Sequence, residues 1–92
     1  MAWSQLKITV TTSSGSTVND LGIDKKWVEI YNSGSYTAFI KISLSGADTA
    51  TTSSYPVAPD ETVRIPITTT TFRYLYAVTT SGTSVLQVVC YD

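Results

Sequence analysis

Apolar and polar residues alternate with a period of two along most of this chain, and that pattern restricts its fold more than any other feature. Leu6, Ile8 and Val10 alternate with Lys7, Thr9 and Thr11; Val28 and Ile30 alternate with Trp27, Glu29 and Tyr31. Tyr36, Ala38, Ile40, Ile42 and Leu44 alternate with Thr37, Phe39, Lys41 and Ser43. Successive side chains of a strand point to opposite faces, so this spacing builds half-buried strands. No window carries an apolar stripe of helical period. Thr, Val, Ile, Tyr, Phe and Trp dominate and suit a pleated surface, whereas there are only two Glu, two Gln and one Met.

Long strands are expected near 4–12, 26–32, 36–44, 62–67, 72–79 and 85–91. Tyr55–Glu61 adds a short extended piece and a tight turn. Asn32-Ser33-Gly34-Ser35 is hairpin chemistry, because Asn and Gly tolerate positive φ. Thr79–Thr83 makes a second turn, and Ser45–Ser54, the most polar stretch, reads as an exposed, mobile loop. Pro66 has no N–H to give a ladder, so its position faces an edge or a strand end. The expected fold is all-β: a small antiparallel sandwich, Ig-like or jelly-roll-like, or a small barrel, with six to eight strands. At 92 residues the chain is one domain, 1–92, with residues 1–5 as an N-terminal arm.

Most chemistries are excluded by what is missing. With no histidine and one cysteine, the chain lacks the usual general base of a hydrolytic triad and the N/S ligands of zinc. Serine and threonine occupy 28 of the 92 positions, yet no Ser-Lys pair is singled out. Asp20/Asp24 and Asp60/Glu61 sit in turns, where Asp is favoured for local hydrogen bonding. They lack both the loop pattern of a calcium site and the cleft of a glycosidase. Cys90, between Val89 and Tyr91, is expected to be a small buried hydrophobe. No catalytic residue, metal or cofactor is therefore expected.

Net charge is −1, with no basic run beyond Lys25-Lys26, so nucleic acid is not an expected partner. No apolar stretch approaches the roughly twenty residues of a membrane-spanning helix. Met1–Lys7 has no signal-peptide pattern, so synthesis in the cytoplasm is expected.

The aromatics carry more information. Trp27 and Tyr31 lie opposite the Val28/Ile30 face, and Phe39 lies opposite the Ile40/Ile42 stripe, so both faces of these strands bear large apolar groups. Loops or the N-terminal strand would cover these rings, or the rings form a contact patch for another subunit; a carbohydrate platform is the third alternative. Trp3, Trp27, Tyr31, Arg73 and Tyr74 are the expected contact residues. Thr-rich strands with little charge leave edges poorly guarded, which favours self-association.

One order of segments resembles a known group. Trp27-Val28-Glu29-Ile30-Tyr31-Asn32 is followed by Ala38-Phe39-Ile40-Lys41-Ile42-Ser43, then Tyr55-Pro56-Val57-Ala58-Pro59-Asp60-Glu61-Thr62-Val63-Arg64-Ile65-Pro66-Ile67. Tyr74-Leu75-Tyr76-Ala77-Val78, Ser81-Gly82-Thr83 and Val85–Tyr91 complete it. This order, over residues 26–92, resembles the small β-sandwich virion proteins of tailed bacteriophages, including capsid decoration (cement) proteins and head or tail accessory subunits. Asp60 stands where that pattern has glycine. The resemblance implies a non-enzymatic head-stabilising subunit, made in the host cytoplasm and residing in the virion. Its partners would be copies of itself and the major capsid protein or another virion protein, bound across capsid junctions. The alternative is a carbohydrate-binding or adhesin-like module, for example of a phage tail.

Overall fold

The computed structural model describes residues 3–22, 26–67 and 74–91. Eight strands are present: β1 (Trp3–Val10), β2 (Asn19–Asp20), β3 (Trp27–Asn32), β4 (Ala38–Ser43), β5 (Tyr55–Val57), β6 (Thr62–Pro66), β7 (Tyr74–Thr79) and β8 (Ser84–Tyr91). They form two antiparallel sheets, ordered β1-β8-β3-β6 and β2-β7-β4-β5. The expectation of a small all-β sandwich holds. Each strand of the first half pairs with its mirror-image partner from the second half: β1 with β8, β2 with β7, β3 with β6 and β4 with β5. That is one long antiparallel ribbon folded at β4–β5 and wound round a core. It is the two-Greek-key arrangement of a jelly roll.

The winding changes how two turns are understood. Asn32–Ser35 does not close a hairpin: β3 and β4 lie in different sheets, so the segment is a corner. Ser81-Gly82 likewise joins β7 of one sheet to β8 of the other. Of the expected N-terminal arm, Trp3, Ser4 and Gln5 already pair with Tyr91, Cys90 and Val89. Met1 and Ala2 lie outside the described residues, as do Asp24, Lys25, the expected 68–71 connection and Arg73.

On β1, β3 and β4 the inward sets are those the alternation implies. Val10, Val28, Ile30, Ala38, Ile40, Val57, Leu75, Leu86 and Val88 are buried in one cluster between the sheets, and Cys90 is buried with them. Tyr36 and Leu44 differ. They fall beyond the ends of β4 and are exposed.

Asn32 joins the layers. Its side chain is wholly buried and makes four hydrogen bonds. Nδ2 donates to the Tyr36 carbonyl at 2.8 Å and the Val57 carbonyl at 2.9 Å. Oδ1 accepts from the Gly34 N–H at 3.0 Å and the Ser84 hydroxyl at 2.7 Å. An amide has two donors and an acceptor oxygen with two lone pairs, so its capacity is filled. The bonds tie β3 to its own corner, to β5 in the opposite sheet and to β8 beside it. Gly34 is needed because any Cβ there would collide with Ser84. Gly82 is needed for its φ of 70°, and the Tyr36 ring lies against it.

Asn32→Ala should lower unfolding free energy by roughly 2–4 kcal/mol, since each buried polar group left unpaired costs about 1–3 kcal/mol. Asn32→Asp should give no rescue, because it turns a second oxygen toward two carbonyls. Urea denaturation measures both; a loss for Asn32→Ala below about 0.5 kcal/mol, the range of ordinary surface changes, would contradict this role.

Candidate functional site

The two outer faces of the sandwich are treated differently by the chain. On the second sheet, Tyr76 and Val78 point outward yet are buried with Ala50, and Phe39 and Tyr74 pack against them. The cover is the 44–54 segment, of which Ser45–Ser54, expected from sequence as an exposed, mobile loop, is exposed at most positions but anchored at several points. Tyr76 donates its hydroxyl to the Ser45 carbonyl at 2.6 Å. The Ala50 N–H donates to the Gly15 carbonyl at 2.9 Å, and a Cβ on Gly15 would come within 2.6 Å of the Ala50 oxygen.

Asp48 is the polar anchor of this cover. Its carboxylate accepts from the Ser43 hydroxyl at 2.6 Å, Lys41 Nζ at 2.9 Å and the Thr49 N–H at 2.8 Å. Those donors stabilise the ionised form, the Ser43 hydroxyl first, and lower the carboxyl from its ordinary 3.8 to about 2.

The first sheet has no comparable cover. Every outward residue of its strands with a described side chain keeps some exposure: Gln5, Lys7 and Thr9 on β1; Val85, Gln87, Val89 and Tyr91 on β8. The same holds for Trp27, Glu29 and Tyr31 on β3 and for Thr62, Arg64 and Pro66 on β6. Register assembles a four-residue cluster there. Trp27 lies opposite Tyr91 and Glu29 lies opposite Arg64, close enough for side chains to meet across the strands. The Arg64 guanidinium stacks 3.9 Å from the Trp27 ring centroid and 5.7 Å from that of Tyr91. Tyr91 donates its hydroxyl to Glu29 Oε1 at 2.9 Å, while Arg64 Nε stands 3.8 Å from the same oxygen. Stacking, more than hydrogen bonding, therefore holds Arg64.

At the far end of the face Tyr31 donates to Asp60 Oδ1 at 2.9 Å. Asp60 has a φ of 63°, a conformation that Gly and Asn or Asp adopt most readily. Neither phenol is activated. The bond to the Asp60 carboxylate, and its charge, raise Tyr31 above the ordinary 10.0; burial, then the bond to Glu29, raise Tyr91.

Of the five residues expected at a contact surface, Trp27 and Tyr31 share this face. Trp3 pairs with Tyr91 at the end of β1 in the same sheet. Tyr74 is on the other sheet, half-buried against Tyr76 and Ala50, and Arg73 lies outside the described residues. Glu29, Arg64, Tyr91 and Asp60 join Trp27 and Tyr31; Arg64 faces outward because its β6 neighbours Val63 and Ile65 pack against the core. What alternation alone does not give is the register that sets Arg64 beside Trp27.

A second concavity of about 410 Å³ opens between β6 and β4–β5, lined by Ile40, Ile42, Tyr55, Val63 and Ile65. It exists because β5 has three residues against the six of β4. Besides Arg64 its lining is apolar or aromatic, without the convergent polar groups that orient a substrate. Among the described residues no three His, Cys, Asp or Glu side chains converge as metal ligands. No protein-family model and no curated protein matches this chain.

The Asp48 anchor has a testable pH signature. Its proton is bound more tightly in the unfolded chain than in the folded one, so folding gains stability as pH rises through this range. The advantage of the native protein over Asp48→Asn should be full above pH 3.8 and fade as pH falls to about 2. Paired thermal melts across that range provide the measurement, and a constant gap would contradict the assignment.

Proposed function

We propose that this chain is a non-enzymatic assembly subunit that docks on protein through the outer face of its first sheet. In the setting its segment order resembles, it is a decoration subunit of a tailed-phage head, bridging junctions of the major capsid protein. The observation that carries this is the contrast between the two outer faces. One is covered over Tyr76 and Val78 by the 44–54 segment; the other has no such cover and carries Trp27, Tyr31, Tyr91 and Arg64.

Trp, Tyr and Arg are the residues most enriched at the energetic centres of protein interfaces. Here they are already ordered by cross-strand contacts, which reduces the side-chain entropy lost on binding. A carbohydrate role is less well supported, because Arg64 occupies a face of Trp27 on which a sugar would stack.

Particles purified from the source of this chain should carry it on the head at high copy number, seen by mass spectrometry and electron cryo-microscopy. Trp27→Ala, still folded by circular dichroism, should lose particle binding. Absence from particles overturns the virion reading. Saturable glycan binding that Trp27→Ala abolishes would favour the adhesin instead.

A further inference from the structure

We propose that β1 pairs edge to edge, antiparallel, with β1 of a second copy about a twofold axis through Leu6. The sheets are ordered β1-β8-β3-β6 and β2-β7-β4-β5, so their edges are β1, β6, β2 and β5. Three of these edges are blunted. β2 has two residues, β5 has three with Pro56 among them, and β6 ends on Pro66, whose nitrogen faces the free edge. β1 has eight residues, no proline and a single charge, Lys7. A long edge of that kind is a template for another strand.

The ladders determine which backbone groups of β1 are free. The Asn32 N–H donates to the Glu61 carbonyl and the Ile67 N–H to that of Lys26, so even-numbered residues of β3 bond to β6. The Ser33 N–H donates to the Val85 carbonyl, so odd-numbered residues of β3 and β8 bond to each other. Bonding direction alternates along an antiparallel strand. The even-numbered residues of β8 therefore turn to β1, where they face Ser4, Leu6, Ile8 and Val10. The N–H and C=O groups of Trp3, Gln5, Lys7 and Thr9 are left directed away from the sheet. No described loop or side chain hydrogen-bonds to Gln5, Lys7 or Thr9, and all three are exposed.

Near the middle of the strand, a twofold axis normal to the sheet can pass through Leu6, Lys7 or Ile8. Through Lys7 it sets two lysines directly opposite, where like charges destabilise. Through Ile8 it sets Gln5 against Thr11, whose carbonyl is turned to the Thr79 N–H. Through Leu6, Gln5 meets Lys7 of the second copy and Trp3 meets its Thr9, so every free backbone group is paired. Leu6 itself, only partly buried against the core, is covered by its own counterpart.

The same strand is thus the occupant that fits. Pairing β1 with β6 of another copy would put Pro66 into the ladder and leave an edge open at each end, a contact that does not close. The twofold closes both copies at once. Two four-stranded sheets become one of eight strands, with the Trp27 clusters of both copies on the same side. This edge is separate from the docking face of β3, β6 and β8, and the dimer forms without particles.

Sedimentation equilibrium of the whole chain should show a monomer in exchange with a dimer. Amide exchange followed by NMR should slow at Gln5, Lys7 and Thr9 as the dimer forms, while Leu6 and Ile8 are protected throughout. Lys7→Pro removes an N–H that β8 does not use, so the chain should keep its circular dichroism and stay monomeric. Two exposed substitutions test the register without touching the backbone. Gln5→Lys sets lysine opposite Lys7 twice in the dimer and should weaken it roughly twofold to thirtyfold. Gln5→Glu should tighten it over a similar range.

A wild-type chain that stays monomeric into the millimolar range overturns the inference. So does a dimer whose Gln5, Lys7 and Thr9 amides exchange as fast as in the monomer. A dimer equally tight with Gln5→Lys and Gln5→Glu does the same.

Discussion

The jelly roll of this chain depends on one buried amide. Asn32 lies at the point where the ribbon turns from one sheet to the other, and its four hydrogen bonds reach its own corner, β5 across the core and β8 alongside. A buried polar group is tolerated only when its bonding capacity is filled, and a filled network specifies one arrangement because every alternative leaves something unpaired. The glycines beside it follow from the same close packing. Gly34 gives Ser84 access to the amide, and Gly82 lets the second corner pass under Tyr36. With no disulfide available to a chain with one cysteine, this junction and the apolar layer hold the two sheets in register.

Holding the sheets in register also determines what each outer face can do. The second sheet is covered over β7 by the 44–54 segment, which brings its own apolar contact in Ala50 and its own polar anchor in Asp48. The first sheet is left open, and there the register between β6, β3 and β8 sets an arginine on a tryptophan beside a tyrosine–glutamate pair. The face offers partly exposed Trp, Tyr and Arg groups held by cross-strand contacts, the residue types most enriched at the energetic centres of protein interfaces.

Much of this was legible in the residues. Alternation placed the long strands to within two residues of their observed ends, and the inward residues of β1, β3 and β4 followed from it. Pro66 was legible too. Asn32 and Ile67 donate across β3–β6 to Glu61 and Lys26, so the intervening alternation turns position 66 toward the free edge. The corners were not legible, because Asn-Ser-Gly-Ser suits a hairpin and an inter-sheet crossing equally well. Only the long-range partners of Asn32 distinguish them. The anchoring of the exposed 45–54 segment was not legible for a related reason: its residues make hydrogen bonds to distant parts of the chain, and polarity alone does not reveal that. The Arg64–Trp27 stack needed a register between strands more than thirty residues apart in sequence, which no local pattern encodes.

We propose the open face of the first sheet as the working surface of this protein. Hydroxyl-radical footprinting of the protein in its assembled state, compared with the dilute chain, tests it most directly. Oxidation of Trp27, Tyr31 and Tyr91 should fall on assembly, while Tyr36 and Tyr55, exposed but off that face, should react unchanged. Protection of Tyr36 or Tyr55 with Trp27, Tyr31 and Tyr91 unaffected would contradict the account.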